Sequence, residues 1–167
     1  MATFSARLAA KETLIGSIVS INSPSVAEII SYQDFDWLFI DAEHGALPID
    51  ALESLVRAST KPALIRLADR SEKSVKQALE VGAIGIIVPQ VNDRQTAQRV
   101  ASYAKYPPKG TRGVGVGRAN NYGMSFSDYL QRANDEVVVV AQIEHADAVA
   151  NAREIIATPG IDAVLVG

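Results

Sequence analysis

The sequence predicts an α/β fold of parallel strands, of the (β/α)8 TIM-barrel type and carrying about six β/α units. Three observations lead there. Short apolar runs alternate along the whole chain with stretches of helical periodicity. The runs are apolar at nearly every position, the pattern of parallel strands buried on both faces. Polar residues with chemical potential fall at the same end of three separate runs, where such barrels carry their sites.

The first run is Thr13–Ile21, stopped by Asn22, Ser23 and Pro24, with a short helix expected over Ser25–Ser31. The second is Trp37-Leu-Phe-Ile-Asp41. Pro48 then suits a first helical turn, and Leu52, Leu55 and Val56 share one helix face. The third run is Ala63–Leu67. Ser71 is a candidate N-cap for a helix whose Val75, Ala78 and Leu79 line up, and Gly82 supplies its stop. The fourth run is Ile84–Val91, followed by a helix over Arg94–Ala104. A long irregular stretch runs from Tyr106 to about Ser127. The fifth run is Val137–Ile143 with a helix over about Ala146–Ala157, ended by Pro159-Gly160, and the sixth is Ala163–Gly167.

An open doubly wound sheet competes with the barrel. Six strands complete such a sheet at 167 residues, whereas a closed barrel takes about 250. An open sheet of that kind binds nucleotides through a glycine-rich turn after its first strand. Here that turn is Asn22-Ser-Pro-Ser25, and no dinucleotide or phosphate-loop motif is present. The Gly113-x-Gly115-x-Gly117 series lies in the irregular stretch with no strand before it, and reads as a flexible or substrate-covering loop.

Composition narrows the classes. A net charge of −3 gives no footprint for nucleic acid or an anionic membrane, and no apolar run is long enough to span a bilayer. Cysteine is absent, which removes disulfides and thiolate chemistry and fits a cytoplasmic protein. No linker or low-complexity tract divides residues 1–167, which read as a single partial-barrel domain.

The second run ends Asp41-Ala-Glu43-His44, the third ends at Arg66, and the fifth ends Gln142-Ile-Glu144. Each residue also has a purely structural reading: His44 a satisfied strand-end histidine, Arg66 a partner for Asp41 or Asp69, Glu144 a cap for the next helix. The spacing of Gln142 and Glu144 puts two oxygen donors on one face of a strand, a weak signal for a hard cation. His145 reads as a helix-start residue.

Several segments in order resemble the HpcH/HpaI family of metal-dependent pyruvate aldolases. They are Phe35-Asp-Trp-Leu-Phe-Ile-Asp-Ala-Glu-His-Gly45, Ile65-Arg66, Leu79-Glu-Val-Gly-Ala-Ile-Gly-Ile-Ile-Val-Pro-Gln-Val91, Tyr106-Pro-Pro-Lys-Gly-Thr-Arg-Gly-Val-Gly115, Gln142-Ile-Glu144 and Gly160–Gly167. The resemblance implies a divalent metal (Mg2+, Mn2+ or Co2+) that stabilises the enolate of pyruvate, and a C–C bond made to or cleaved from an aldehyde. It implies Glu144 as a metal ligand, Gln142 as a holder of the metal or the oxo acid, and Arg66 facing the enolate oxygen. His44, oriented by Asp41, would be the acid/base group, with Glu43 in support. A lysine at a strand's C-terminal end is lacking, so a Schiff base has no obvious nucleophile. The family pattern continues with a second carboxylate ligand past Gly167, and with further strands. The 167 residues are therefore expected to be a truncated piece, or to associate with another copy, the family forming trimers and hexamers. Two further readings stand beside the aldolase: a citrate-lyase-like enzyme of acyl-CoA thioesters, and a fragment that only associates.

Overall fold

In the computed structural model, which describes residues 2–167, six parallel strands form one sheet in the order β1-β2-β3-β4-β5-β6. They are β1 (Gly16–Val19), β2 (Trp37–Asp41), β3 (Ala63–Arg66), β4 (Gly85–Val88), β5 (Val138–Ile143) and β6 (Ala163–Val166). Each strand pairs only with its sequence neighbours, as in a barrel; an open doubly wound sheet reverses direction at its centre.

The helices α2 (Pro24–Ser31), α3 (Ile49–Ala58), α4 (Glu72–Glu80) and α5 (Arg94–Ala104) follow their strands in turn. Their starts obey local chemistry: the hydroxyls of Ser23 and Ser71 and the carboxylate of Asp93 accept backbone N–H groups from Val26, Ser74 and Thr96. Gly82, at φ 93°, follows α4 in the left-handed region that glycine adopts without strain.

Strand periodicity divides the core. Leu38, Ile40, Ile65, Ile86, Val88, Val139 and Ala141 pack with the helices in one large cluster. Phe39, Leu64, Ile87, Val138 and Val140 alternate with them and form a second cluster on the other, inner face. Helix α1 (Phe4–Ala9) lays Phe4 and Leu8 against that inner cluster and is tied down by Arg7 to Asp36 at 2.8 Å.

The long stretch after α5 departs from expectation. It holds a 3-10 turn, Arg118–Gly123, and an 11-residue helix α6 (Phe126–Glu136) that the sequence reading passed over. The glycine series is not a cover over the polar strand ends. It joins α5 to β5 at the N-terminal end of the sheet, with Gly113 beside Lys76 and Gly117 beside Glu80, toward the end of α4. Arg112 anchors it from within: 2% exposed, it pairs with Glu80 at 3.0 Å, donates to the Tyr129 hydroxyl at 3.2 Å and lies 4.5 Å over the Tyr106 ring. The helix expected over Ala146–Ala157 is two pieces, α7 (Ala146–Ala150) and α8 (Ala152–Ile156). They part at Asn151, whose amide donates to the Asn92 carbonyl at 2.9 Å.

Candidate active site

The inner face carries the site by simple counting. Two residues beyond Phe39 is Asp41, two beyond Leu64 is Arg66, and two beyond Val140 is Gln142, with Glu144 two further on. The period that buries the apolar layer therefore presents these polar side chains above it at the C-terminal edge. Register confirms the level, since Asp41 is paired with Arg66 across β2 and β3.

The side chains are linked in series. Arg66 donates to Asp41 twice, Nε to Oδ1 at 2.9 Å and Nη2 to Oδ2 at 2.6 Å. Its plane sits 5.2 Å above the Phe39 ring. Its remaining nitrogen, Nη1, makes only a long contact, 3.5 Å to Gln142 Oε1. Gln142 Nε2 donates to Glu144 Oε2 at 2.7 Å, and Glu144 Oε1 accepts the Gln90 backbone N–H at 2.8 Å. Gln90 follows Pro89 at the end of the fourth run and has φ 56°, a left-handed conformation that aims its N–H at the carboxylate. The network thus joins β2, β3, β4 and β5.

Burial makes these pairings necessary, because Asp41 and Gln142 are 5% and 2% exposed. The Arg66 hydrogen bonds hold the Asp41 carboxyl below the ordinary carboxylate range, aided by backbone N–H groups of His44 and Glu43, while burial opposes them. Asp41 in turn raises Arg66 and keeps it cationic.

The arrangement around His44 differs from the expectation. Asp41 accepts the His44 backbone N–H at 3.3 Å but does not orient its ring, because both carboxylate oxygens already face Arg66. The imidazole is exposed, and its Nε2 lies 3.8 Å from Glu43 Oε2. That oxygen is also 3.3 Å from Arg66 Nε, yet it is buried without a hydrogen bond, since the Nε proton points to Asp41. Glu43 is thus more central than the sequence reading made it. Glu144 caps no helix; the cap of α7 is His145, whose Nδ1 accepts the Asp147 N–H.

The oxygen donors of Gln142 and Glu144 suit a hard cation, and the end of β6 comes close to both. A Cβ at Gly167 would stand 3.4 Å from Gln142 Nε2 and 3.5 Å from Glu144 Cβ. Among the described residues no group of three histidines, cysteines or acids is placed to hold a metal.

The family model for HpcH/HpaI aldolase/citrate lyase matches residues 15–167. The chain belongs to the HpcH/HpaI family. It is 36% identical to the 4-hydroxy-2-oxovalerate aldolase of Novosphingobium aromaticivorans, over 99% of this chain and 64% of that protein. It is 39% identical to the 2-dehydro-3,6-dideoxy-6-sulfogluconate aldolase of Pseudomonas putida, over 92% of this chain and 61% of that protein. A solved structure of an HpcH/HpaI aldolase/citrate lyase family protein from Burkholderia cenocepacia J2315 superposes with a TM-score of 0.93 at 34% identity, covering 98% of this chain and 67% of that one. The structure of citrate synthase SbnG superposes at 0.87 with 28% identity, covering 99% and 65%. The chain thus spans about two thirds of the length of the proteins it matches. The HpcH/HpaI likeness bears out the TIM-barrel type of fold, here a curled sheet of six strands.

Proposed function

We propose that this chain carries the core of a divalent-metal-dependent aldolase, a carbon–carbon lyase joining pyruvate to an aldehyde or cleaving the resulting hydroxy 2-oxo acid. The observation that carries the reading is the series from Asp41 through Arg66 and Gln142 to Glu144, drawn from separate strands onto one edge. The aldolases among its relatives support the reaction class.

Asp41 fixes two of the three guanidinium nitrogens and leaves Nη1 as the open corner, directed toward Gln142. A donor held there meets the keto oxygen of the oxo acid as negative charge grows on it, with no reorganisation at the moment of reaction. Glu144, with Gln142, would hold the cation (Mg2+, Mn2+ or Co2+), which supplies Lewis-acid stabilisation to that charge. The second carboxylate that the resemblance expects lies past Gly167. His44, exposed with its Nε2 3.8 Å from Glu43, takes the proton from the pyruvate methyl group or returns it, through water. Residues 1–167 act as one domain in this reading, and association into trimers or hexamers belongs with it.

The test is exchange of pyruvate methyl protons for deuterium, followed by NMR with Mn2+ or Mg2+ and without metal. Metal-dependent exchange that disappears in Arg66→Ala supports the reading; no exchange under any condition removes it. The family also includes citrate lyases, which keeps an acyl-CoA thioester enzyme as the second reading. Turnover of a CoA thioester in preference to pyruvate would favour it, and a chain that only associates would do neither.

A further inference from the structure

The inner face of β2 carries an aromatic column that ends against the guanidinium of Arg66. Trp37 and Phe39 stand two residues apart, on one face of the strand, and their rings stack at 6.1 Å with 16° between the planes. Phe4 of α1 closes the column at the start of the strand, its ring 6.0 Å from that of Trp37 and tilted by 54°. At the other end Arg66 Cζ lies over the Phe39 ring, 5.2 Å from its centroid. Three rings thus run from α1 to the site at the C-terminal edge.

Each level of the column is fixed. Gly16 is the register partner of Trp37 on β1, and a Cβ there would collide with the indole, which lies against bare backbone. Helix α1 is held by the ion pair of Arg7 with Asp36, the residue before Trp37. Phe39 is buried and packs with Leu64, Ile87, Val138 and Val140. Arg66 is therefore constrained in two directions. Asp41 takes Nε and Nη2 within the guanidinium plane. Those two bonds still let the plane tilt about the line of the fork; a ring lying against its face opposes the tilt. The ring face carries negative potential and attracts the cation. Only 16% of the Arg66 side chain is exposed, so the attraction acts largely out of water, where it is stronger. An aliphatic residue at position 39 would fill the space without offering such a face.

We propose that Phe39 is a positioning residue for the reaction, the face of its ring holding the Arg66 guanidinium so that Nη1 stays aimed at the oxygen on which charge develops. The inference rests on the aldolase reading for what Arg66 does, while the hold of the ring on the guanidinium does not. The role requires the π face of the ring and not only its bulk, which separates it from plain packing in the inner cluster.

Two measurements on one set of proteins test it. Phe39 is replaced by phenylalanines bearing one, two and three ring fluorines, which nearly keep the shape and withdraw negative charge from the face step by step, and separately by leucine. In the first measurement, kcat for Mg2+-dependent exchange of pyruvate methyl protons should fall with each fluorine. It should be about tenfold lower with three fluorines and in Phe39→Leu, with KM for pyruvate little changed. In the second, solvent exchange of the Arg66 Nε proton, identified in the NMR spectrum by its loss in Arg66→Ala, should quicken in the same order. A kcat that is flat across the fluorine series, a Phe39→Leu protein as active as the parent, or an Nε exchange rate indifferent to the ring would each overturn the proposal. Absence of pyruvate exchange in every protein, the parent included, counts against the aldolase reading alone, since the Nε exchange rates still decide whether the ring holds the guanidinium.

Discussion

Arg66 and Asp41 meet through two parallel hydrogen bonds, at 2.9 and 2.6 Å, across adjacent strands on the inner face of the sheet. The pair fixes the plane of the guanidinium and so decides which nitrogen is left for a ligand. Arg66→Lys keeps the charge and loses the fork. We expect pyruvate proton exchange to fall about 100-fold in this variant, with the circular dichroism spectrum unchanged.

The same pair sets an acid limit. The folded-state pKa of Asp41 lies below the ordinary 3.8, so its contribution to stability is complete above the unfolded value of about 3.9 and is lost as pH falls through the folded value. Asp41→Asn should cost about 3 kcal/mol near neutrality by leaving Arg66 without its counter-charge. Denaturant melts of both proteins across pH should show this gap full at about pH 6 and narrowing below about pH 4. A gap independent of pH would contradict the assignment.

Metal binding is open to a stability readout. At 100 times its dissociation constant a cation adds about 2.7 kcal/mol to the folded state. Mn2+ should therefore raise the melting temperature. Glu144→Gln keeps an oxygen to accept the Gln90 N–H but removes the charge, and the rise should vanish.

Arg112 belongs to the opposite end of the molecule. Arg112→Met leaves the Glu80 carboxylate without its cation and the Tyr129 hydroxyl without its donor. A cost of about 2 kcal/mol, or about 4–8 °C in melting temperature, is expected. Pyruvate exchange by the remaining folded protein should be unaltered.

Much of this was legible in the residues. Apolar runs marked all six strands, although the first strand is only Gly16–Val19 within the longer Thr13–Ile21 run, since its flanks find no partner strand. Asp41, Arg66 and the Gln142-x-Glu144 pair fall at the same end of three runs, the last two on one face by period-two spacing, and the structure brings all four together. What escaped was nonlocal or masked. Phe126, Tyr129, Leu130 and Ala133 carry a helical spacing, but the irregular stretch rich in glycine and proline ends only at about Ser127 and leaves too short a segment before the fifth run to stand out as a helix. Arg112 and Lys105 carry no sequence mark of burial. Lys105 is buried because α6 ends above it and supplies the carbonyls of Asn134 and Val137 to its ammonium group. The ring of His44 stands exposed, 3.8 Å from Glu43 and without a hydrogen bond to Asp41, whose two oxygens face Arg66, an arrangement that spacing along one strand does not reveal.

Glu144 is steadied from β4's side by a peptide N–H, not by a side chain. Position 90 can therefore drift among residues that tolerate a left-handed turn without moving the carboxylate. Proline is the exception twice over: it has no hydrogen to give, and its ring forbids the positive φ. A family of such enzymes could exchange the side chain at this point while its acidic anchor stays where the main chain holds it.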